Sequence, residues 1–194
     1  MLLSVPGRRA DALAQRLAQF QANASHQRQF MWDHGMRDKE PANLFRSSVL
    51  FDANRVGAAA VYCSDGRFGD QCDDLLHRGL QLPRYDRLAL PGGPACLAAS
   101  FPVYHEEQSV IEQLRFLVKV HLLERVILIA HQDCAFYTER LHISLEQLEA
   151  QQCEDLRRAS QRIESLFEHL RVSAYFARKL PDGQIEFESL SGAV

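Results

Sequence analysis

The sequence ERVILIAHQDC, at residues 124–134, decides the fold. Its centre, residues 126–129, is a continuous apolar block in which three of the four side chains are β-branched. Such a block is typical of a strand that is buried on both faces, as strands of parallel sheets are. The block is followed by His131 and Cys134, two residue types that can ligate a metal. We therefore predict a central strand with reactive side chains at its carboxyl end.

Similar apolar runs occur on both sides of this strand, and segments with helical spacing separate them. The predicted strands are RVGAAAVYC (55–63), DRLALPGG (86–93), RVSAYFARK (171–179) and QIEFESL (184–190). The predicted helices cover residues 144–170 and residues 106–124, the latter with an apolar face of Val110, Leu114, Leu117 and Leu122. This alternation predicts an α/β fold with a mainly parallel central β-sheet flanked by helices. The turn sequence LPDG between the last two strands predicts an antiparallel edge strand.

The first part of the chain differs in composition from the rest. Residues 8–30 are rich in Ala, Leu, Gln and Arg, and their apolar residues recur at helical spacing. We predict an N-terminal helical arm over residues 1–54, followed by the α/β domain over residues 55–194. The helix at 8–30 has little core of its own to cover, so we expect it to lie on a second copy of the chain.

The bulk composition is that of an ordinary globular protein and excludes several functions. The chain has 194 residues, of which 46% are hydrophobic and 24% charged. A net charge of −3 indicates no basic surface for nucleic acid, and no run approaches the ~20 apolar residues of a membrane span. The apolar stretch at the N-terminus is too short for a signal peptide, so we expect a cytoplasmic protein.

The five cysteines are an odd number in a chain without a secretory signal, which argues against a disulfide framework. Metal ligation, nucleophilic catalysis or plain burial are the roles that remain. Cys72, Cys96 and Cys153 match no ligand position and are predicted to be core or surface thiols. Cys63 and Cys134 are different, because each follows a predicted strand.

A second group of reactive residues lies at the end of the strand predicted for residues 55–63. Cys63, Asp65 and Arg67 occupy alternate positions, so in an extended segment they point the same way. Ligands of parallel sheets bind at the carboxyl ends of the strands, where His131 and Cys134 are also expected. Cys, His and Cys are zinc ligands, and three protein ligands leave the fourth position open for water or substrate.

Each of these residues alone also has an ordinary structural explanation. Cys63 or Cys134 is then a buried thiol, and His131 a strand-end histidine bonded to backbone. Asp65 and Arg67 form either an ion pair that closes a turn or, beside a metal, a proton acceptor with the arginine that holds it ionised. The spacing and the shared position at strand ends favour the zinc site.

Together, the motifs CSDGR (63–67) and HQDC (131–134) resemble those of the β-class carbonic anhydrases. The resemblance covers roughly residues 56–190. It implies that Cys63, His131 and Cys134 bind zinc and that Asp65 and Arg67 are the catalytic dyad. In that family the carboxylate at the position of Asp65 can also ligate zinc in a closed resting form.

The resemblance implies an activity and an assembly as well. The activity is the reversible hydration of carbon dioxide to bicarbonate, with zinc making hydroxide available at neutral pH. The family's N-terminal helices clasp a partner subunit, which implies a homodimer or a higher homo-oligomer here. The partners expected are therefore a second copy and a small-molecule substrate, with neither nucleic acid nor membrane.

The chain departs from the family's pattern at several places, and two alternatives depend on two of these departures. LPGGPACL (90–97) replaces a segment rich in arginine and asparagine, and Ala135, Phe136 and Tyr137 replace glycines after the HQDC motif. One alternative is a zinc hydrolase of carbon disulfide or carbonyl sulfide, with Phe136 and Tyr137 lining a more apolar entrance. The other is a non-catalytic zinc-binding homologue. The PGGP sequence within the first segment forms either an anion cradle or a tight turn.

Overall fold

The computed structural model describes residues 45–99 and 107–190. The chain divides into two compact units, Met1–Asp52 and Ala53–Val194. Of the first unit only residues 45–52 are described, and they contain neither helix nor strand. The helix predicted at residues 8–30 lies outside the described residues and stays a prediction.

A five-stranded sheet forms the centre of the second unit. Its strands are β1 (Ala58–Cys63), β2 (Asp86–Leu90), β3 (Arg125–His131), β4 (Arg171–Lys179) and β5 (Ile185–Ser189). Their order across the sheet is β2-β1-β3-β4-β5, and all neighbours are parallel except β4 and β5. The predicted α/β fold, with a mainly parallel sheet and an antiparallel edge strand, is confirmed.

Within the described residues, three α-helices accompany the sheet: α1 (Gly69–Asp74), α2 (Glu107–His121) and α3 (Leu145–Leu166). The sequence predicted α2 and α3 but not α1. The short α1 lies between a 3₁₀ helix, Gly66–Phe68, and a π-helical turn, Leu75–Gly79. The prediction that Leu122 belongs to the apolar face of α2 is wrong, because the helix ends at His121 and Leu122 is exposed with a φ of +53°.

The helices bury the two faces of the sheet in separate cores. One core joins α2 and α3 to alternate residues of the strands, with Leu114, Leu128 and Leu156 fully buried in it. The other core joins α1 and its flanking turns to the opposite face, through Leu76, Ile127 and Ile129. In the described part of the chain, no helix is both long enough and apolar enough to cross a membrane.

The strand order brings the two motifs together. From β1 the chain passes to β2 on one side, and from β2 it crosses over to β3 on the other side of β1. The connections that follow β1 and β3 therefore diverge, which opens a crevice at the carboxyl ends of these two strands. Cys63 is the last residue of β1 and His131 is the last residue of β3, so both lie at this crevice.

Candidate metal centre

Cys63, His131 and Cys134 form a compact cluster at the carboxyl ends of β1 and β3. One ligand atom of each residue lies within 4.8 Å of the others. His131 and Cys134 are buried, and Cys63 is partly buried. No other group of three or more His, Cys, Asp or Glu side chains within residues 45–99 and 107–190 is arranged to hold a metal ion.

The spacing of the two sulfur atoms fits a tetrahedral zinc site. Cys63 Sγ and Cys134 Sγ are 3.8 Å apart. Two Zn–S bonds of about 2.3 Å at a tetrahedral angle place their sulfur atoms about 3.8 Å apart. The side chains can therefore accept the ion without a change in the distance between the two thiols.

The histidine presents one nitrogen atom to this cluster. His131 Nδ1 lies 2.8 Å from the carbonyl oxygen of Gln132, which can only accept, so Nδ1 carries the proton and donates it. Nε2 is then a lone-pair acceptor, and it is buried without a hydrogen-bond partner. A buried nitrogen without a partner is unfavourable unless a ligand satisfies it. The donor set and this orphaned atom both fit a bound metal.

The two thiols of the cluster shift each other's pKa in opposite directions. A hydrogen bond from the Cys134 thiol lowers the pKa of Cys63 to about 4, against the effect of burial and with help from the nearby backbone of Asp65 and Gly92. The neighbouring Cys63 sulfur and burial raise the pKa of the Cys134 thiol. A divalent cation between the sulfurs would remove the second proton as well, because coordinating thiols are deprotonated.

Asp65 and Arg67 form an ion pair beside this cluster, but not by alternating along a strand. Strand β1 ends at Cys63, and Asp65 begins the 3₁₀ helix by accepting the Arg67 backbone N–H. Arg67 Nε donates to both carboxylate oxygens at 2.9 and 3.1 Å, and Nη2 donates to Oδ2 at 2.5 Å. The extended geometry predicted for residues 63–67 is therefore wrong, although the expected pairing of the two residues is present.

The ion pair fixes the charge of Asp65. The Arg67 guanidinium holds the pKa of the Asp65 carboxyl well below its usual range. In the structure the Asp65 carboxylate is paired with Arg67, and a carboxylate bound to the metal stays the alternative prediction for the metal-bound protein. The backbone of Asp65 also helps to lower the pKa of the Cys63 thiol, two residues before it in the chain.

The PGG turn between β2 and the 3₁₀ helix Gly93–Leu97 packs against both ligand-bearing segments. Gly92 and Gly93 have φ values of +78° and +54°. A Cβ on Gly92 would lie 2.5 Å from the ring of Phe136, and one on Gly93 would lie 2.7 Å from the backbone nitrogen of Cys63. The backbone of Gly92 also helps to lower the pKa of the Cys63 thiol. The segment forms the predicted tight turn, and only glycine fits at its two central positions.

Aromatic rings surround the cluster in a way that the sequence did not predict. The ring of Phe68, in the 3₁₀ helix after Asp65, lies 4.2 Å from the ring of His131. Phe136 packs on Gly92, whereas Tyr137 is buried and its hydroxyl donates to Asp155 of α3 at 2.9 Å. Tyr137 therefore anchors the turn to a helix and does not line an open entrance.

The remaining cysteines lie outside the cluster, as the sequence predicted. Cys72 and Cys96 are buried in the two cores, and Cys153 is partly buried on α3. Sequence reasoning missed two other buried residues near the site, Gln152 and Asp155 of α3. Their signal was present, because both interrupt the apolar stripe of that helix.

Residues 53–188 match the model of a protein family described as "Putative carbonic anhydrase". The chain belongs to this family. It is also 29% identical over 140 residues to an uncharacterized protein of Rickettsia bellii (strain RML369-C), a match that covers 69% of this chain and 82% of that protein. The resemblance noted from CSDGR and HQDC thus agrees with the family assignment.

Solved structures of β-carbonic anhydrases are similar at low identity. Isoform I from Trichomonas vaginalis is 12% identical, with a TM-score of 0.43 over 87% of this chain and 96% of that one. CcaA is 13% identical, with a TM-score of 0.43 over 97% and 95%. CafA from Aspergillus fumigatus is 13% identical, with a TM-score of 0.37 over 93% and 90%. At these values the likenesses decide nothing about the chemistry of this chain.

Proposed function

We propose that this protein is a zinc-dependent carbonic anhydrase that hydrates carbon dioxide reversibly to bicarbonate. The observation that carries the proposal is the buried Cys63–His131–Cys134 cluster, with an orphaned imidazole nitrogen and with an ionised Asp65 next to it. Zinc bound there would act as a Lewis acid that makes hydroxide available near neutral pH. Membership of the family supports the same activity.

The residues of the chain have distinct tasks in this proposal. The carbonyl of Gln132 holds His131 in the tautomer that leaves Nε2 free to ligate. Cys63 and Cys134 supply the two thiolates. Asp65 accepts the proton that is lost when water becomes the nucleophile, and Arg67 keeps that carboxylate ionised and oriented.

The alternative of a carbon disulfide or carbonyl sulfide hydrolase receives less support from the site. It rested on an entrance lined by Phe136 and Tyr137, and Tyr137 is directed at α3 instead. A non-catalytic zinc-binding protein is the other alternative. It shares the metal cluster but requires no ionised carboxylate beside it, so the Asp65–Arg67 pair favours the enzyme.

The test is stopped-flow carbon dioxide hydration with protein of measured zinc content, from pH 6 to pH 9. We expect activity in the wild type and a large loss in Asp65→Asn at unchanged zinc content. Fully zinc-loaded wild type with a rate equal to that of buffer would contradict the proposal. Carbonyl sulfide and carbon disulfide, given to the same preparation, then distinguish the hydrolase from the non-catalytic protein.

A further inference from the structure

Helix α3 carries two polar side chains deep in its apolar face. Gln152 and Asp155 are each 1% exposed, and they lie among Leu148, Leu156 and Ala159. Burying an amide or a carboxylate is unfavourable unless hydrogen bonds compensate for the lost water. The two residues are three positions apart, so they lie on the same side of the helix.

Gln152 binds the backbone of the predicted histidine ligand. Its Nε2 donates to the carbonyl oxygen of His131 at 2.8 Å. The last residue pair between β1 and β3 is Tyr62 with Ile129, so His131 lies beyond the end of the hydrogen-bonded ladder to β1. The hydrogen bond from α3 thus holds the end of β3 where the ladder to β1 no longer does.

Asp155 binds the chain on the other side of Cys134, at Tyr137. Its Oδ2 accepts the Tyr137 hydroxyl at 2.9 Å, and its Oδ1 accepts Gln151 Nε2 at 2.9 Å. Tyr137 follows Cys134 by three residues. One helix therefore fixes the chain on both sides of Cys134, at residues 131 and 137.

The segment between these two contacts needs such support. Asp133 has a φ of +56°, a conformation that is unfavourable for a residue other than glycine and persists only where the surroundings impose it. Strand β4 supplies further contacts, since Gln132 N donates to the Ala177 carbonyl and Lys179 N donates to Gln132 Oε1, both at 2.9 Å. The turn is thus held between α3 and β4.

We propose that Gln152 and Asp155 are positioning residues for the metal centre. Through the His131 carbonyl and the Tyr137 hydroxyl, they set the directions of His131 Nε2 and Cys134 Sγ toward a common ion. This inference rests on the metal site of the proposed function, and it extends that site to a helix on which no ligand lies. Groups that orient metal ligands in this way typically contribute a factor of 10 to 100 in metal affinity.

The test compares two variants of the full-length protein with a matched control. Gln152→Met keeps the length of the side chain and removes the donor, and Tyr137→Phe removes only the hydroxyl that Asp155 accepts. Gln161→Met makes the first substitution at an exposed position of the same helix. Zinc affinity is measured by competition with a chelator, and the visible absorption of the cobalt-substituted protein reports ligand geometry at full occupancy. The unfolding temperature of the metal-free protein reports general stability.

We expect Gln152→Met and Tyr137→Phe each to bind zinc at least about tenfold more weakly and to shift the cobalt absorption, with Gln161→Met like the wild type. If Gln152→Met does not fold, Tyr137→Phe decides alone. Zinc affinities within twofold of the wild type, with unchanged cobalt absorption, would overturn the inference even if the unfolding temperature fell. A wild type that binds no zinc would overturn both this inference and the proposed function. A wild type that binds zinc without hydrating carbon dioxide would remove the proposed function alone.

Discussion

Arg67 is the residue whose role separates catalysis from metal binding most clearly. Its guanidinium donates to both oxygens of Asp65, and a guanidinium has no acceptor atom with which to ligate a metal ion. We predict that Arg67→Ala retains its zinc and loses at least tenfold in carbon dioxide hydration, because Asp65 loses the partner that orients it. Zinc content by elemental analysis and stopped-flow hydration check the two halves of this prediction.

Arg78 provides a matched control for Arg67. It also forms an ion pair with an aspartate, Asp74, but this is an exposed i,i+4 pair between the last residue of α1 and the π-helical turn that follows. Arg78→Ala should change neither zinc content nor hydration. An Arg67→Ala protein that loses zinc as readily as Cys63→Ser does would show that Arg67 is structural and that its assignment to a dyad is wrong.

Gly93 is required by the close approach of the PGG turn to β1. A Cβ at this position would lie 2.7 Å from Cys63 N and 2.8 Å from the carbonyl carbon of Tyr62, and φ is positive. We predict that Gly93→Ala destabilises the protein by about 2 kcal/mol or more and weakens zinc binding, because Cys63 must shift. Denaturant unfolding and chelator competition measure the two effects.

Gly57 is the corresponding control, since nothing lies within 4 Å of a Cβ built there. Gly57→Ala should leave the affinity for zinc unchanged. If Gly93→Ala retained the zinc affinity of the wild type, the turn would be a connection between elements and not a support for the ligands.

Strand β2 lies at the edge of the sheet, and α1 is attached to it through a charged cluster. Arg87 of β2 donates to both oxygens of Asp73 at 2.7 and 2.9 Å, and Tyr85 donates to the same carboxylate. Burial raises the pKa of Asp73, but the hydrogen bonds from Arg87 and Tyr85 outweigh it and the pKa is lowered. The stabilisation is therefore present above the unfolded-state pKa of about 3.9 and is lost as the pH falls through the lower folded-state value.

We predict that Asp73→Asn lowers the free energy of unfolding by about 1 kcal/mol at pH 7 and that the difference from the wild type shrinks below about pH 4. Urea unfolding at several pH values measures it. Asp74→Asn, which removes the exposed partner of Arg78, should have little effect. If the difference in the free energy of unfolding between Asp73→Asn and the wild type does not change with pH, the role given to the ion cluster is contradicted.

The strands, α2 and α3 were predictable because each repeats a simple pattern over several residues. The block at residues 126–129 became the buried centre of β3, and the run at 171–179 is β4 with the predicted bounds. Helix α1 was not predictable in the same way. It has six residues between a 3₁₀ helix and a π-helical turn, and no such length carries a clear helical period.

The sequence was sufficient to group the three candidate ligands, but not to predict the residues that hold them in position. Parallel strands bring their carboxyl ends together, so the ends of two apolar runs predicted the meeting of Cys63 with His131. The hydrogen bond of Gln152 to the His131 carbonyl depends on how α3 packs, across 21 residues of sequence. The position of the Tyr137 side chain depends on the same packing. The sequence does not show this packing, so Tyr137 was wrongly expected to line the entrance.

At the level of the whole molecule, we predict a homodimer in which the first unit contributes to the contact. Four large apolar side chains of residues 45–51 are at least 80% exposed: Phe45, Val49, Leu50 and Phe51. Such a concentration of exposed apolar residues is unusual in a monomer. Light scattering at micromolar concentration should give the mass of two chains, and Leu50→Ser with Phe51→Ser should reduce it. A wild type that is monomeric under these conditions contradicts the prediction.

The metal content of the purified protein tests the central claim most directly. We predict about one zinc ion per chain by elemental analysis, after purification without chelator, because three N and S ligands converge at the ends of β1 and β3. The Cys63→Ser variant, handled identically, should lose most of that zinc. A wild-type protein that is fully folded, contains no zinc and takes up none when zinc is added would contradict the account.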